Sequence, residues 1–308
     1  MPNADLAAPA RAPLILVNPA AGGGRAARVA RSLRTAPGSM LVAESRERMR
    51  ELAAGALATG HDRVVVVGGD GSLQDAVNGL LGGGGVPVPL GIVPAGSGND
   101  LARSLRLPRD AHAALEVALG DQLTTVDAAL ARGPTAARWF VSAAGVGFDA
   151  QVAAALARRP PAVRLGSLGY LLTTLVELRR YRNVRLALRF ETPEGELQID
   201  QTCLFAAIAN GPYYGGGMRI CPEARMGDGL LDVCLVGDIS RLGALREIPG
   251  IYRGAHVRNP AVSFFTVSAV EIDGGAQAHL DGEPFGALPV RFEVVPAALR
   301  IASARVAA

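Results

Sequence analysis

Four consecutive valines, Val64 to Val67, run straight into Gly68-Gly69-Asp70-Gly71-Ser72, and the amphipathic "LQDAVNGLL" follows without a gap. An unbroken β-branched run of this length reads as a strand covered on both faces, and the glycines read as the turn that opens a helix. The same grammar recurs twice. "LILV" (14–17) opens into "NPAAGGG" and then "RAARVARSLR", where Val29 and Leu33 share one face and Arg25, Arg28, Arg31 and Arg34 another. "LGIV" (90–93) opens into "PAGSGND" and then "LARSL". A shorter strand near Met40 to Val42 and the helical "ERMRELAAGAL" complete a βαβαβ order, which calls for a parallel sheet. Three glycine-rich loops then line one crevice at the carboxyl ends of the strands, where open α/β sheets bind ligands.

Past Asp127 the texture changes to strand-like segments separated by turns: "ARWFVSAAG", "VRLALRFE", "LQIDQTCLFAAIAN", "LLDVCLVGD", "SFFTVSAVEID", "AQAHLDGE" and "PVRFEVVP". This predicts a mainly antiparallel β domain with helical insertions near residues 150–157 and 165–180. At 308 residues the chain exceeds one ordinary core. Two domains are therefore expected, an α/β unit over 1–128 and a β unit over 129–296, with the tail 297–308 able to pack back on the first.

Composition removes several classes of function. No run of about 18 uncharged apolar residues exists to span a membrane. The opening "MPNADLAAPARAP" lacks the apolar core of an export signal, so a cytoplasmic location is expected. Cys203, Cys221 and Cys234 make no C-x-x-C pair and read as buried thiols, and the four scattered histidines offer no zinc spacing. The chain contains no lysine, so phosphate-binding cations must be arginine or metal. A net charge of +3 is too mild for a nucleic-acid partner.

Glycines let backbone N–H groups approach phosphate oxygens, and a helix start favours anions, so residues 18–24, 68–72 and 96–99 read as phosphate cradles. Plain turn chemistry accounts for any one alone; three at one sheet end favour a common ligand. Asp70 sharpens this reading, because a bare carboxylate repels phosphate unless a divalent cation or its waters intervene. Its alternative is a helix cap, for which the flanking glycines have no use. No G-x-x-x-x-G-K-[ST] motif is present. Gly145-Val-Gly147-Phe-Asp-Ala150 fits G-x-G-x-x-[GA], but it opens the β domain and lacks the surrounding βαβ unit of a dinucleotide site.

Taken in order, "VNPAAGGGR" (17–25), "GGDGSLQDAVNGL" (68–80), "PAGSGNDLA" (94–102), "GVGFDA" (145–150) and "HLDGEP" (279–284) resemble the bacterial lipid kinases of the diacylglycerol kinase catalytic-domain family, relatives of sphingosine kinases. The resemblance covers nearly the whole chain. Its Gly-Gly-Asp-Gly element is shared with NAD kinases and phosphofructokinases, so specificity lies in the combination, above all the leading Asn-Pro and the late Asp-Gly-Glu. It implies a Rossmann-like parallel α/β domain, an antiparallel β-sandwich, and a nucleotide site in the cleft between them. ATP with Mg²⁺ would sit against Asn18, Pro19, Ala20, Ala21, Gly22 and Arg25, against Gly68, Gly69, Asp70, Gly71, Ser72, Leu73 and Gln74, and against Gly96, Ser97 and Asn99. Glu283, beside Asp281, would receive the proton of the acceptor hydroxyl and, with Asp70, form the catalytic set. A loose transition state releases that proton late and asks little of the base.

The resemblance also implies a structural cation held by the Asp228 side chain with the carbonyls of Arg225 and Leu230, for which a plain "MGDG" hairpin turn is the alternative. Ser72 and Ser97 stand where the family commonly has threonine, Gln74 where it has asparagine, and Ala43 where a nucleotide-contacting threonine is frequent. Arg25 either reaches phosphate or belongs to a solvated arginine stripe.

Seven arginines between Arg158 and Arg185 flank the apolar "LGSLGYLLTTLVEL". This segment is either a basic-edged helix resting on an anionic leaflet or a core helix with ordinary basic caps. Leu171, Leu172 and Leu175 are expected to wall a pocket for acyl chains, with "NGPYYGGGM" (210–218) as another rim. The expected activity is transfer of the γ-phosphoryl group of ATP to a hydroxyl of a diacylglycerol-like or sphingoid lipid at the inner face of the plasma membrane. The expected partners are the lipid substrate, a peripheral membrane contact and a second copy of the chain. The rivals are an NAD kinase-like phosphotransferase and a nucleotide-binding regulator without turnover.

Overall fold

The computed structural model describes residues 12–83, 87–158 and 166–304. Strands β1 (Leu14–Val17), β2 (Ser39–Val42), β3 (Val64–Gly68) and β4 (Leu90–Pro94) pair in parallel in the order β2-β1-β3-β4. Leu14 lies opposite both Ser39 and Val64, and Val64 opposite Leu90, so all the strands end at one level. Alternate side chains divide between two cores. Leu14, Leu16, Val64, Val66, Leu90 and Ile92 meet helices α2 (Arg46–Ala54) and α3 (Asp70–Gly82), whereas Ile15, Val17, Val65, Val67 and Val93 meet α1 (Ala21–Ser32) and α5 (Ala111–Leu119). At about 1.5–3 kcal/mol for each buried aliphatic side chain, two-sided burial rewards an unbroken valine run. The short α4 (Asp100–Ser104) follows β4. In α1, Gly22, Gly23 and Gly24 have φ of 60°, 65° and 86°, so regular helix begins at Arg25.

The second domain is an antiparallel β-sandwich. It comprises β5 (Leu123–Arg132), β6 (Ala137–Phe140), β7 (Ala143–Gly147), β8 (Val184–Thr192), β9 (Gly195–Ala209), β10 (Leu231–Gly237), β11 (Val262–Val267), β12 (Ala269–Gly274), β13 (Gln277–Leu280), β14 (Glu283–Ala287) and β15 (Val290–Ala302). The long β9 joins the two layers, pairing with β8 along its first half and with β7 and β10 along its second. Phe140, Phe190, Phe292 and their aliphatic neighbours fill the interior. Helices α6 (Phe148–Ala157), α7 (Gly166–Leu178) and α8 (Arg241–Arg253) accompany a third core that includes Phe148, Leu178, Phe205, Tyr214 and Ala244.

Several expectations change in detail. The boundary near 128 falls inside β5, which runs unbroken through Asp127. β15 pairs with β12 and β5 and then reaches β4 at Ile301–Leu90, so the chain returns to the first sheet before residue 302; residues 305–308 lie outside the described part. "ARWFVSAAG" is two strands, because Val141, Ser142 and Ala143 turn their N–H groups to the Asp281 carboxylate instead of a ladder. "SFFTVSAVEID" likewise divides at Ser268, β11 pairing with β10 and β12 with β8 and β15. Helices α5 and α8 were not legible; α8 carries Gly243, Pro249 and Gly250, which blur its periodicity.

Candidate active site

The three glycine loops meet. Asn18 donates from Nδ2 to Ser72 Oγ at 2.9 Å and accepts from Ala20 N in a local turn that carries Pro19 and Ala21. A Cβ at Gly22 would collide with the carbonyl of Ala95, and one at Gly69 would lie 2.8 Å from Gly96 Cα. Only glycine allows these backbones so close. Arg25 reaches across to the Gly96 carbonyl at 3.0 Å, so it is tied to the cradle although its residue is exposed. Asn99, at φ 54°, closes the loop by bonding both the N–H and the carbonyl of Gly96, and Ser97 is exposed at its tip. Leu73 and Gln74 lie elsewhere than expected. Leu73 is buried in the core, and Gln74 donates to the carbonyl of Leu280, joining the two domains.

Asp70 does act as a cap, but across the fold. Its Oδ2 accepts from Asn99 N and its Oδ1 from Asp100 N, each at 2.7 Å, at the start of α4. A Cβ at Gly98 would stand 2.7 Å from Oδ2, which makes glycine the residue that lets this carboxylate in. Asp281 is held in a similar way by the N–H groups of Val141, Ser142 and Ala143 at 3.0–3.1 Å. Asp100, which sequence reasoning passed over, accepts from Gly216 N through Oδ2 at 2.7 Å, while its buried Oδ1 accepts no hydrogen bond and faces the Arg103 guanidinium at 3.9 Å. Asp70, Asp100 and Asp281 line one cavity with Ser142, Tyr214, Gly216 and His279. Burial raises the pKa of all three. Asp100, further raised by the neighbouring Asp70, reaches about 7; Asp281 reaches about 6. The signal for Asp100 was its place directly after the third glycine loop.

Glu283 is presented by a two-residue hairpin turn in which Asp281 (φ 47°) and Gly282 (φ 84°) both take positive φ, as a type I′ turn requires. It is not among the residues lining the acid cavity. Its Oε2 accepts from Arg46 Nη1 at 2.8 Å, and its Oε1 lies 3.7 Å from where a Cβ would stand on Gly71. Arg46 also pairs with Asp75 at 3.0 Å, and Asp75 in turn binds Arg50. Burial opposes the charge on Arg46, yet Glu283 and Asp75 outweigh it and raise its pKa. No sequence signal marked Arg46, because 237 residues separate it from Glu283, and Asp75 stood inside the 68–80 motif without a role.

An apolar pocket of about 790 Å³, open mouth included, lies between α6, α7, α8 and the β9–β10 face. Phe148, Val152, Leu178, Phe205, Ile248 and Ile251 are among its walls. Of the three leucines expected there, Leu171 lines it and Leu172 is 44% exposed, while Leu175 is not among its walls; helical phase turns 171, 174 and 178 inward. Tyr214 and Met218 supply the rim expected from the 210–218 segment. Tyr214 also lines the acid cavity, so the two hollows abut. At the seam, Gly282 N donates to His279 Nδ1, which leaves the ring proton on Nε2, facing Asp149 Oδ2 at 3.1 Å. Gly145 is needed for this pair, since a Cβ there would strike the Asp149 carboxylate; that accounts for the glycine without a dinucleotide.

Asp228, Arg225 and Leu230 sit in the loop before β10, outside the acid cavity. Asp228 Oδ1 accepts from Leu230 N at 3.1 Å in an exposed turn. Among the described residues no group of three His, Cys, Asp or Glu side chains is arranged to hold a metal. The acid cavity nevertheless fits a cation such as Mg²⁺, which takes one or two carboxylates plus phosphate oxygens: Asp100 Oδ1 is a buried acceptor without a donor, beside two other acids.

Glycine-rich loops at the carboxyl edge of a parallel sheet, facing an acid-lined hollow and backed by a sandwich domain, define a two-domain enzyme of the kinase class. Residues 12–131 match the diacylglycerol kinase catalytic domain and residues 142–303 the YegS C-terminal NAD kinase beta sandwich-like domain. A protein of Mycobacterium tuberculosis (strain H37Rv) named "Diacylglycerol kinase" is 37% identical over 257 residues, covering 82% of this chain and 80% of its own. A Pseudomonas aeruginosa (strain PAO1) protein named "Probable lipid kinase YegS-like" is 35% identical over the same shares. A crystal structure described as a diacylglycerol kinase from Bacillus anthracis str. Sterne superposes with a TM-score of 0.70 at 18% identity, covering 96% of this chain and 98% of its own, a likeness of fold. The chain belongs to the bacterial lipid kinase family of diacylglycerol kinase-like proteins.

Proposed function

We propose that this lipid kinase transfers the γ-phosphoryl group of ATP, with Mg²⁺, to a hydroxyl of a diacylglycerol-like or sphingoid lipid. The observation that carries the reading is the abutment of the apolar pocket on the acid cavity through Tyr214, with the glycine cradle at the far side. An acyl chain in the pocket directs its polar end toward Asp70, Asp100 and Asp281. The cradle orients phosphates through backbone N–H groups and Arg25, and such positioning is the larger part of phosphoryl-transfer catalysis. When bound, the cation would neutralise charge on the phosphate oxygens. Asp70 and Asp281 hold α4 and the β6–β7 turn in place, while Asp100, with its Oδ1 that accepts no hydrogen bond, would hold the cation. Glu283 stands at the rim with Arg46, able to accept the hydroxyl proton once the ion pair loosens.

Incubating the protein with γ-labelled ATP, Mg²⁺ and either a lipid extract or NAD is the direct test. Labelled lipid is expected, with Asp70→Asn reducing it by about 100-fold; one amide cannot accept on both sides, so the start of α4 loosens and stability falls by about 1–3 kcal/mol. Labelled NADP would move the assignment to the NAD kinase-like rival, and no labelled product would favour a regulator.

A further inference from the structure

Helix α8 is apolar on both sides. Ala244, Ile248 and Ile251 face the pocket, yet Leu242 and Leu245 turn outward, 56% and 43% exposed. Val257, in the turn after α8, is 46% exposed, and on α7 the outward Leu172 and Val176 are 44% and 46% exposed. Both helices line the pocket, so their outer faces stand no more than a helix's width from it. A helix that is hydrophobic beyond its buried stripe has a second apolar partner.

The exposed charges carried by these elements themselves have one sign. From residue 241 to 258 the exposed charged residues are Arg241, Arg246, Arg253 and Arg258, and α7 ends in the exposed Arg179 and Arg180. The glutamates of the two helices are occupied: Glu177 accepts from Gln151 at 2.7 Å, and Glu247 lines the pocket and accepts from Asn259 at 2.9 Å. Arginine stays charged at every physiological pH, so the face stays cationic. Outward leucines set among arginines match an interface where acyl chains lie beneath anionic headgroups. No described helix is long and apolar enough to cross a membrane, so the fit is to lying on the surface.

We propose that the outer faces of α7 and α8, with the turn at 255–258, dock on an anionic lipid bilayer, so that a lipid passes sideways from the leaflet into the pocket. This rests on the lipid kinase reading and adds the surface by which the substrate is reached. Each arginine close to such a surface strengthens binding about fivefold, and each inserted leucine about tenfold.

The test is co-sedimentation, without nucleotide, with phosphatidylcholine vesicles that do or do not contain phosphatidylglycerol. The wild type should bind the anionic vesicles, and far less of it the neutral ones. Leu242→Ser with Leu245→Ser should weaken binding by about 100-fold. Arg246→Gln with Arg253→Gln should weaken it by about 25-fold and reduce its salt dependence. None of these four side chains lines either cavity, so melting temperature and turnover of a short-chain, water-dispersed diacylglycerol should match the wild type. Equal vesicle binding by wild type and the leucine variant would overturn the proposal, as would a wild type that phosphorylates the short-chain lipid and ignores anionic vesicles. Vesicle binding that needs both leucines, in a protein that phosphorylates no lipid, would support the surface and overturn the lipid kinase assignment.

Discussion

The two hollows that meet at Tyr214 are built on opposite principles. The cradle and acid cavity are made largely by backbone: N–H groups of residues 99 and 100 hold Asp70, those of 141–143 hold Asp281, and glycines let the loops touch. The pocket beside them is made largely by side chains from α6, α7, α8 and three strands, with few polar atoms. A backbone-built site has few acceptable geometries and tolerates little change. A side-chain-built one can be resized, and in the proposed function this difference gives precision to the phosphate and breadth to the lipid.

The hardest blow to the first region comes from Gly69→Ala. The added methyl would meet Gly96 Cα, a backbone atom that no rotamer relieves. Separating the two loops should lower kcat/KM for ATP by about 100-fold and stability by about 1–3 kcal/mol. Steady-state kinetics and thermal melting check this, and an unchanged response to ATP would break the contrast.

In the second region, Ala244→Phe should be tolerated by the fold and should raise KM for long-chain lipid about tenfold, leaving KM for ATP as it was. Equal losses with short- and long-chain acceptors would show that the pocket does not hold the chain.

A smaller effect sharpens the electrostatic side. Asp100 has a folded pKa of about 7 against an ordinary 3.8, so the folded state binds its proton more tightly than the unfolded state. Stability present below about pH 4 is therefore lost as pH rises toward 7, and Asp281, raised to about 6, adds in the same direction. Asp100→Asn keeps an oxygen for Gly216 N and should make that decline shallower by roughly 2 kcal/mol. Denaturant titrations at pH 4.5 and 7.5 measure it; identical declines in both proteins would mean that the buried charge is compensated.

Legibility followed the same division. That the loops of Asn18, Asp70 and Gly96 meet was readable from sequence because each sits at a strand end, where turn chemistry is local; which way Arg25 turns was left open and is decided by its bond to the Gly96 carbonyl. Gln74 and Leu73 share that local pattern, yet the helix turns one toward Leu280 and the other into the core. Asp100 lay in plain view after the third loop, but nothing local says that its Oδ1 lacks a donor. Arg46 gave no signal, since Glu283 is 237 residues away, and the motifs that contain Asp149 and His279 said nothing of their pairing across 130 residues.

The sequence by itself determined the parallel sheet, its glycine-rich exits and the antiparallel second half, because two-sided burial and turn conformation are settled by neighbours along the chain. Only the tertiary structure decided that three acids converge on one cavity, that Glu283 is tied to Arg46 outside it, and that an apolar pocket opens against it. Those relations depend on how β9 and β15 carry the chain between layers, and the sign and spacing of charges brought together in that way are a property of packing.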